Sequence, residues 1–202
     1  MTHARNLRFA LPLLAAAFVV ACSDSPDADP QAEPSPSEAA TSPAAVADAG
    51  RAFRYTSLDD CPLLRSAPEE AGFYEYECPG EGGFKLKLVE ADLRQNIMVV
   101  PPGGGEERSL DLAALSGGGF SELEDLVEWR GTMESGAFKP DALILRQEVA
   151  EGSEGQEDTS YLIAVKLAGT PCAVARIAPG PGQNEQARAA ADGAGSCLAG
   201  PG

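Results

Sequence analysis

Apolar and polar residues alternate over short segments along most of the chain after residue 70. In FKLKLVE, residues 84–90, Phe84, Leu86 and Leu88 alternate with two lysines, which is the period-two pattern of a half-buried strand. Similar patterns recur between turn residues. They predict seven strands, at residues 73–78, 84–90, 93–100, 126–130, 141–150, 159–169 and 172–178.

Few helical patterns separate these strands, which favours antiparallel rather than parallel pairing. The polar turn 151–158 divides the clearest hairpin of the chain. Residues 184–191 predict a helix with Asn184 as a candidate N-cap, and residues 109–116 predict one or two helical turns. The pattern therefore predicts a mainly β (α+β) fold: an antiparallel bent sheet or a small sandwich with a short C-terminal helix.

The N-terminus has a different pattern. Residues 9–21 carry no charge and follow two arginines, Arg5 and Arg8, which is typical of a secretory signal peptide. The apolar segment is too short for a membrane-spanning helix, which needs about 20 residues. Residues 1–21 are therefore predicted to be a cleaved signal peptide.

Val-Val-Ala-Cys at residues 19–22 resembles the lipobox of bacterial lipoproteins. The resemblance implies that the Cys22 thiol accepts a diacylglyceryl group, that cleavage follows Ala21, and that Cys22 becomes the acylated first residue. The diacylglyceryl group and the additional acyl chain on the Cys22 amine together exceed the two-chain threshold for stable anchoring. Because Ser23 is not aspartate, the resemblance implies the outer membrane, facing the periplasm. The alternative is an ordinary secretory signal in which Cys22 is incidental.

Residues 23–50 contain five prolines, six acidic residues and no basic residue. Such a segment has too little apolar surface to offset its ordering entropy, so residues 22–50 are predicted to be a lipidated cysteine followed by a disordered tether. The remaining 152 residues, 51–202, are enough for one globular domain.

The four cysteines after Cys22 indicate two disulfides in an exported chain, and they allow three connectivities. Pairing within each end of the domain is favoured because those cysteines are close in sequence. The prediction is Cys61–Cys78 and Cys172–Cys197, with the second pair strapping the C-terminal helix.

The candidate chemistry is limited. The one histidine, His3, lies in the predicted signal peptide, so the mature chain has no histidine for a catalytic triad or a His-ligated metal. Paired cysteines leave no thiolate nucleophile. The glycine-rich segments 101–109 and 116–121 match no phosphate-binding motif, and the turn 151–158 lacks the ligand order of a calcium loop. No catalytic residue, metal site or cofactor is predicted.

Two local features have structural interpretations. Trp129 is the single tryptophan and is expected to fill the core rather than act as an exposed binding anchor. Asp92 and Arg94 are expected to form an ion pair that fixes the turn between two strands.

Several stretches of residues 51–202, such as CPGEGGFKLKLVEADLR and TPCAVARI, resemble recurring segments of exported proteobacterial proteins. The resemblance brings no established activity. It supports a single domain and the pairing of Cys172 with Cys197.

Residues 51–202 carry 25 acidic and 13 basic residues, a net charge of −12. This charge argues against nucleic acid and favours a basic protein as partner. The expected function is a non-enzymatic envelope lipoprotein that binds another periplasmic component, with the acidic side chains Glu151, Glu154, Glu157 and Asp158 steering the encounter. One alternative is an inhibitor of a basic cell-wall hydrolase. Another is a carboxylate-dependent hydrolase, which needs two carboxylates about 5–10 Å apart in a cleft.

Overall fold

A computed structural model describes residues 50–59, 61–150 and 157–198 of the chain. The predicted signal peptide, Cys22 and residues 22–49 of the predicted tether lie outside the described residues, as does most of the turn 151–158. The described ranges contain eleven strands and two helices. In chain order these are β1 (Ala52–Ser57), β2 (Leu63–Ala67), β3 (Phe73–Pro79), β4 (Lys85–Ala91), β5 (Arg94–Val100), β6 (Arg108–Ser109), α1 (Leu112–Leu115), β7 (Ser121–Leu123), β8 (Leu126–Glu134), β9 (Ala137–Val149), β10 (Thr159–Lys166), β11 (Cys172–Ile177) and α2 (Gln183–Asp192).

The long strand β9 organises the sheet. Along one edge β9 pairs with β8 and then with β7, and along the other edge it pairs with β10, which in turn pairs with β11. Strands β2 to β5 form an antiparallel meander, while β1 pairs with β8 and β6 with β5. The meander meets β7 through a parallel bridge between Arg94 and Ser121. Within the described ranges the sheet is therefore mixed, and antiparallel in every pair except this one.

Both faces of β9 and β10 are buried, which explains why these two strands are the most apolar. Leu143 and Ile163 face the main core, where they pack with residues of β4, β5 and β8. Ile144 and Leu162 point to the opposite face, where Ala187 of α2 covers them. The C-terminal helix thus forms a second, smaller core on the outer face of the sheet.

The predicted mainly β fold with a short C-terminal helix is confirmed. Each of the seven predicted strands is present, with ends that differ by a few residues. The sequence pattern did not predict β1, β2, β6 and β7. Strands β1 and β2 are largely exposed and β6 and β7 have only two or three residues, so none of them carries a readable alternation.

The start of α2 corrects one detail of the sequence interpretation. The N-cap is Gly182, which adopts a left-handed conformation (φ 72°), and Asn184 lies inside the first turn. Glycine occupies a left-handed position without the steric cost that other residues incur. Residues 109–116 form only the single turn α1, together with part of β6.

Both predicted disulfides are confirmed. Cys61 and Cys78 join the segment between β1 and β2 to strand β3, with their Cα atoms 4.6 Å apart. Cys172 and Cys197 join β11 to the segment after α2, with Cα atoms 5.6 Å apart. The second disulfide closes the chain around α2 and straps this helix against the sheet, as expected.

The interpretations of Trp129 and of the Asp92–Arg94 pair are also confirmed. Trp129 is fully buried in the main core, and its Nε1 donates a hydrogen bond of 2.9 Å to Oγ1 of Thr56. Arg94 forms an ion pair with Asp92 across the turn between β4 and β5.

A network of charged side chains fastens α2 to the outer face of the sheet. Arg130 of β8 is only 2% exposed, and its Nη1 donates to Oε1 of Glu128 at 2.9 Å. Its Nε donates to Oδ1 of Asp192, at the end of α2, at 2.8 Å. Arg188, one turn earlier in α2, binds both carboxylate oxygens of Glu128.

A second arginine extends this network to the start of the domain. Arg51, just before β1, donates to Oδ1 of Asp192 at 3.0 Å and to Oδ2 of Asp141 at 2.7 Å.

A bulge in β8 between Arg130 and Gly131 shifts the pairing with β9. A Cβ atom at Gly131 would collide with the Lys139 carbonyl, so the close approach of the two backbones requires glycine there.

Candidate functional site

The most distinctive surface feature is a recess of about 240 Å³ where the β4–β5 turn meets β7 and the end of β9. We name it the acidic recess. It is lined by four carboxylates and five other residues: Glu90, Glu122, Glu148, Asp158, Leu93, Gln95, Phe120, Ser121 and Ala150.

Sheet register explains how two of these carboxylates come together. Glu122 of β7 lies directly opposite Glu148 of β9 in an antiparallel pair. Residues that face each other in this way have Cβ atoms about 4.5–5.5 Å apart on the same face of the sheet, and like charges there destabilise the pair. The fold therefore holds two negative charges side by side.

The four carboxylates form no ion pair with the residues that the structure describes. In the described part of the chain, no lysine or arginine nitrogen lies within 4.0 Å of the carboxylates of Glu90, Glu122, Glu148 or Asp158. Arg94 stacks over the Phe120 ring at 5.2 Å but donates its hydrogen bonds to Asp92 and the Gly118 carbonyl. Four carboxylates that form no ion pair with a described residue therefore line the recess, with the Arg94 guanidinium at its border.

A neighbouring pocket of about 240 Å³ extends this negative surface. It shares Glu90 and Gln95 with the acidic recess and adds Asp59 and Asp125. The charge of Asp125 and a hydrogen bond with it raise the pKa of Asp59 above its ordinary value, since a nearby negative charge disfavours ionisation of the Asp59 carboxyl. The charge density along this side of the domain is therefore high.

Two exposed apolar side chains border the acidic recess. Leu93 is 67% exposed and Phe120 is 51% exposed. Leu93 stands at the tip of the two-residue β4–β5 turn, where Asp92 and Leu93 have φ angles of 51° and 57°. Turns of this kind normally contain asparagine, aspartate or glycine, because a left-handed conformation costs other residues about 1–2 kcal/mol. This backbone conformation disfavours leucine, and the leucine side chain is exposed to solvent.

Among the described residues, no group of three or more His, Cys, Asp or Glu side chains is placed to hold a metal ion. No described helix has the length and apolar character needed to cross a membrane. The recess therefore combines four carboxylates with an apolar border.

Sequence reasoning located this surface only in part. Of the four steering residues it proposed, Asp158 lines the recess and Glu157 does not, while Glu151 and Glu154 lie outside the described residues. It missed Glu90, Glu122 and Glu148, which come from three different strands and are brought together only by the sheet. Leu93, which borders the recess, was assigned to the predicted strand 93–100, whereas the structure places it in the turn before β5.

Comparison with known protein families, curated proteins and solved structures finds no match to this chain. The interpretation of function therefore depends on the sequence and on the geometry of the site.

Proposed function

We propose that the chain is an outer-membrane-anchored periplasmic lipoprotein whose globular domain binds a basic envelope protein at the acidic recess and is not an enzyme. The observation that carries the proposal is Leu93, an exposed leucine held in a left-handed turn beside carboxylates that have no basic partner among the described residues. A residue held by the rest of the structure in a backbone conformation that disfavours it is typical of binding sites.

The charges and the leucine have separate roles in this proposal. The net charge of −12 on residues 51–202 steers a cationic partner towards the domain, which raises the association rate. Leu93 and Phe120 lose exposed apolar surface when the partner docks, which slows dissociation. A basic cell-wall hydrolase, such as a muramidase, has the required charge and shares the compartment. The sharper form of the proposal is therefore an inhibitor of such an enzyme.

The charge role predicts a salt-dependent association. Residues 51–202 should bind a basic muramidase faster at 10 mM salt than at 150 mM, because the Debye length falls from about 30 Å to about 8 Å over this range. The double variant Glu122→Gln/Glu148→Gln should associate about tenfold more slowly at low salt and keep its fold, since it removes a like-charge pair. Surface plasmon resonance across a salt series measures both rates. Glu69→Gln/Glu70→Gln, an exposed pair outside the recess, is the matched control.

Absence of binding at 10 mM salt, or binding that is insensitive to salt, would exclude the inhibitor form of the proposal. Hydrolysis of cell-wall material by residues 51–202 alone, lost in the double variant, would instead favour the carboxylate-dependent hydrolase.

The leucine role predicts a trade-off between stability and binding. Leu93→Asn should raise the free energy of unfolding by about 0.5 kcal/mol, because asparagine tolerates the left-handed turn better than leucine does. The same variant should increase the dissociation rate of the muramidase about tenfold. Leu64→Asn, at a leucine of β2 that is 51% exposed, should leave the association and dissociation rates unchanged. If Leu93→Asn binds as tightly as the original chain, Leu93 is not part of the interface.

The anchor is tested independently of the recess. Cys22→Ala removes the thiol that accepts the lipid, so the variant should stay unprocessed or be released from membranes, whereas Ser25→Ala should fractionate with the outer membrane. Membrane fractionation with a high-salt wash, followed by mass spectrometry of the N-terminus, measures this. A Cys22→Ala protein that stays with the outer membrane after the wash would contradict lipid anchoring.

A further inference from the structure

A second recess, of about 200 Å³, lies between the first half of α2 and the outer face of β8, β9 and β10. We name it the helix groove. It shares no lining residue with the acidic recess, and its chemistry differs. Its floor is apolar, formed by Leu126, Ile144, Leu162 and Ala187, and its polar end is formed by Arg146 and Asn184.

Arg146 is the exceptional residue in this groove. Seven arginines of the described chain form ion pairs with carboxylates: Arg51, Arg54, Arg65, Arg94, Arg108, Arg130 and Arg188. Arg146 is half-buried, yet none of the described carboxylate oxygens lies within 4.0 Å of its guanidinium. In so acidic a domain, a partly buried arginine without an anionic partner is suited to an anion that comes from outside.

Neutral groups hold the Arg146 guanidinium in place. Its Nη1 donates to Oγ of Ser160 at 2.8 Å and more weakly to Oε1 of Gln183 at 3.4 Å. Gln183 is itself fixed, because its Nε2 donates to the carbonyls of Ser160 and Ile177. The three N–H groups on Nε and Nη2 have no acceptor among the described residues, which leaves one edge of the guanidinium available for two parallel hydrogen bonds.

The other charges of the groove do not oppose an anion. Glu128 borders it but is paired with both Arg130 and Arg188 and also accepts a hydrogen bond from the Tyr55 hydroxyl. Glu148, two residues beyond Arg146 on the same face of β9, belongs to the acidic recess rather than to the groove. The arginines therefore outnumber the carboxylates along the groove.

The volume indicates how much of a ligand the groove can hold. About 200 Å³ corresponds to six or seven water-sized groups at roughly 30 Å³ each. A chain of about six carbons fills the apolar floor and brings a terminal carboxylate to Arg146. Burial of apolar surface and one charge-assisted pair would then act on the same small molecule.

We propose that the helix groove is a binding site for a small apolar carboxylate, with an acyl chain or aliphatic side chain on Leu126, Ile144 and Leu162 and its carboxylate held by Nε and Nη2 of Arg146. A free acyl chain and the C-terminal leucine of a peptide share this chemistry. The site is independent of the acidic recess. A negative result at one site would not contradict the function proposed for the other.

The test uses the chain from residue 23, which omits the predicted lipidated Cys22, and follows binding by two-dimensional amide NMR. Hexanoate should shift the amide signals of Arg146, Leu162 and Ala187 and bind at least about tenfold more tightly than acetate, 1-hexanol or hexylamine, each of which lacks the chain or the negative charge. N-acetylleucine represents a peptide C-terminus. Tighter binding of N-acetylleucine than of hexanoate would identify a peptide end as the source, and the reverse would identify a free acyl chain.

Two variants make the proposal falsifiable. Arg146→Met should weaken hexanoate binding at least about tenfold, while Arg108→Met, which removes an exposed arginine far from the groove in sequence, should not. Leu126→Ser, at an exposed position, should weaken hexanoate binding without unfolding the domain. Hexanoate that binds no better than acetate, or that binds equally well to the Arg146→Met and Leu126→Ser variants, would overturn the proposal.

Discussion

Replacing Arg130 by methionine is expected to lower the free energy of unfolding by about 3 kcal/mol at neutral pH. Arg130 is only 2% exposed and hydrogen-bonds to Glu128 and to Asp192, so its removal deprives two largely buried carboxylates of a shared partner. A buried charge that loses its counter-ion is far more costly than the intact pair is stabilising. The remaining arginines, Arg188 and Arg51, limit the loss, which keeps the expected value at the lower end of the range for broken buried pairs.

The ionisation of Glu128 and Asp192 gives this prediction a second signature. Burial alone would raise the pKa of Glu128, but hydrogen bonds from Arg188 and Arg130 outweigh it and hold that pKa below its ordinary value. Burial likewise opposes ionisation of Asp192, and the hydrogen bond and charge of Arg130 together with Arg51 lower its pKa. Both carboxylates therefore contribute stability as anions.

The sign of the pH dependence follows from these lowered values. A carboxylate whose pKa is lower in the folded state stabilises the fold above its unfolded pKa, about 4, and loses that contribution as the pH falls through the folded value. The original chain should therefore lose stability as the pH decreases below about 4. Arg130→Met removes much of the cause of the lowered pKa values. The difference in the free energy of unfolding between the variant and the original chain should therefore become smaller as the pH falls from 7 to 3.

Urea unfolding followed by tryptophan fluorescence at pH 7 and pH 3 measures both effects, and Arg108→Met, at an exposed ion pair, should change stability by less than about 1 kcal/mol. A loss for Arg130→Met that is equally large at both pH values would mean that the arginine acts through packing rather than through its charge.

The parts of the fold that sequence could predict are those encoded locally. Phe84, Leu86 and Leu88 alternate with lysines because one face of β4 is buried and the other is not, and this pattern is readable without any tertiary information. The disulfides followed from sequence proximity and the predicted export. Strands β1 and β2 remained unpredicted because pairing with a neighbour, rather than burial, makes them strands.

The binding surfaces, by contrast, depend on long-range contacts. Glu122 and Glu148 are 26 positions apart, and Arg130 and Asp192 are 62 apart, so no local pattern relates them. Acidic residues were visible along the whole chain, but which of them lack a basic partner is decided only when the sheet forms. Leu93 is a further example, since the sequence pattern assigned it to the strand 93–100 and only the structure places it in the turn before β5.

The second large effect is expected at Trp129. Truncation to alanine should lower the free energy of unfolding by about 4 kcal/mol, because the indole is fully buried and fills the space between β8 and the neighbouring strands. Its ring lies 6.2 Å from that of Phe84, and a Cβ atom at Gly80 would lie only 3.1 Å from its Cη2, so neighbouring residues enclose the indole. A large cavity should therefore remain.

Two further variants separate the volume of the indole from its hydrogen bond. Trp129→Phe retains an aromatic ring but loses the 2.9 Å bond from Nε1 to Oγ1 of Thr56, and should cost about half as much as alanine. Thr56→Val removes the acceptor and leaves the indole, and should cost about 1 kcal/mol. Because Trp129 is the only tryptophan, its variants must be followed by far-ultraviolet circular dichroism in urea. A Trp129→Ala protein that loses less than about 1 kcal/mol would show that the indole does not fill the core, and its interpretation as a binding anchor would then be preferred.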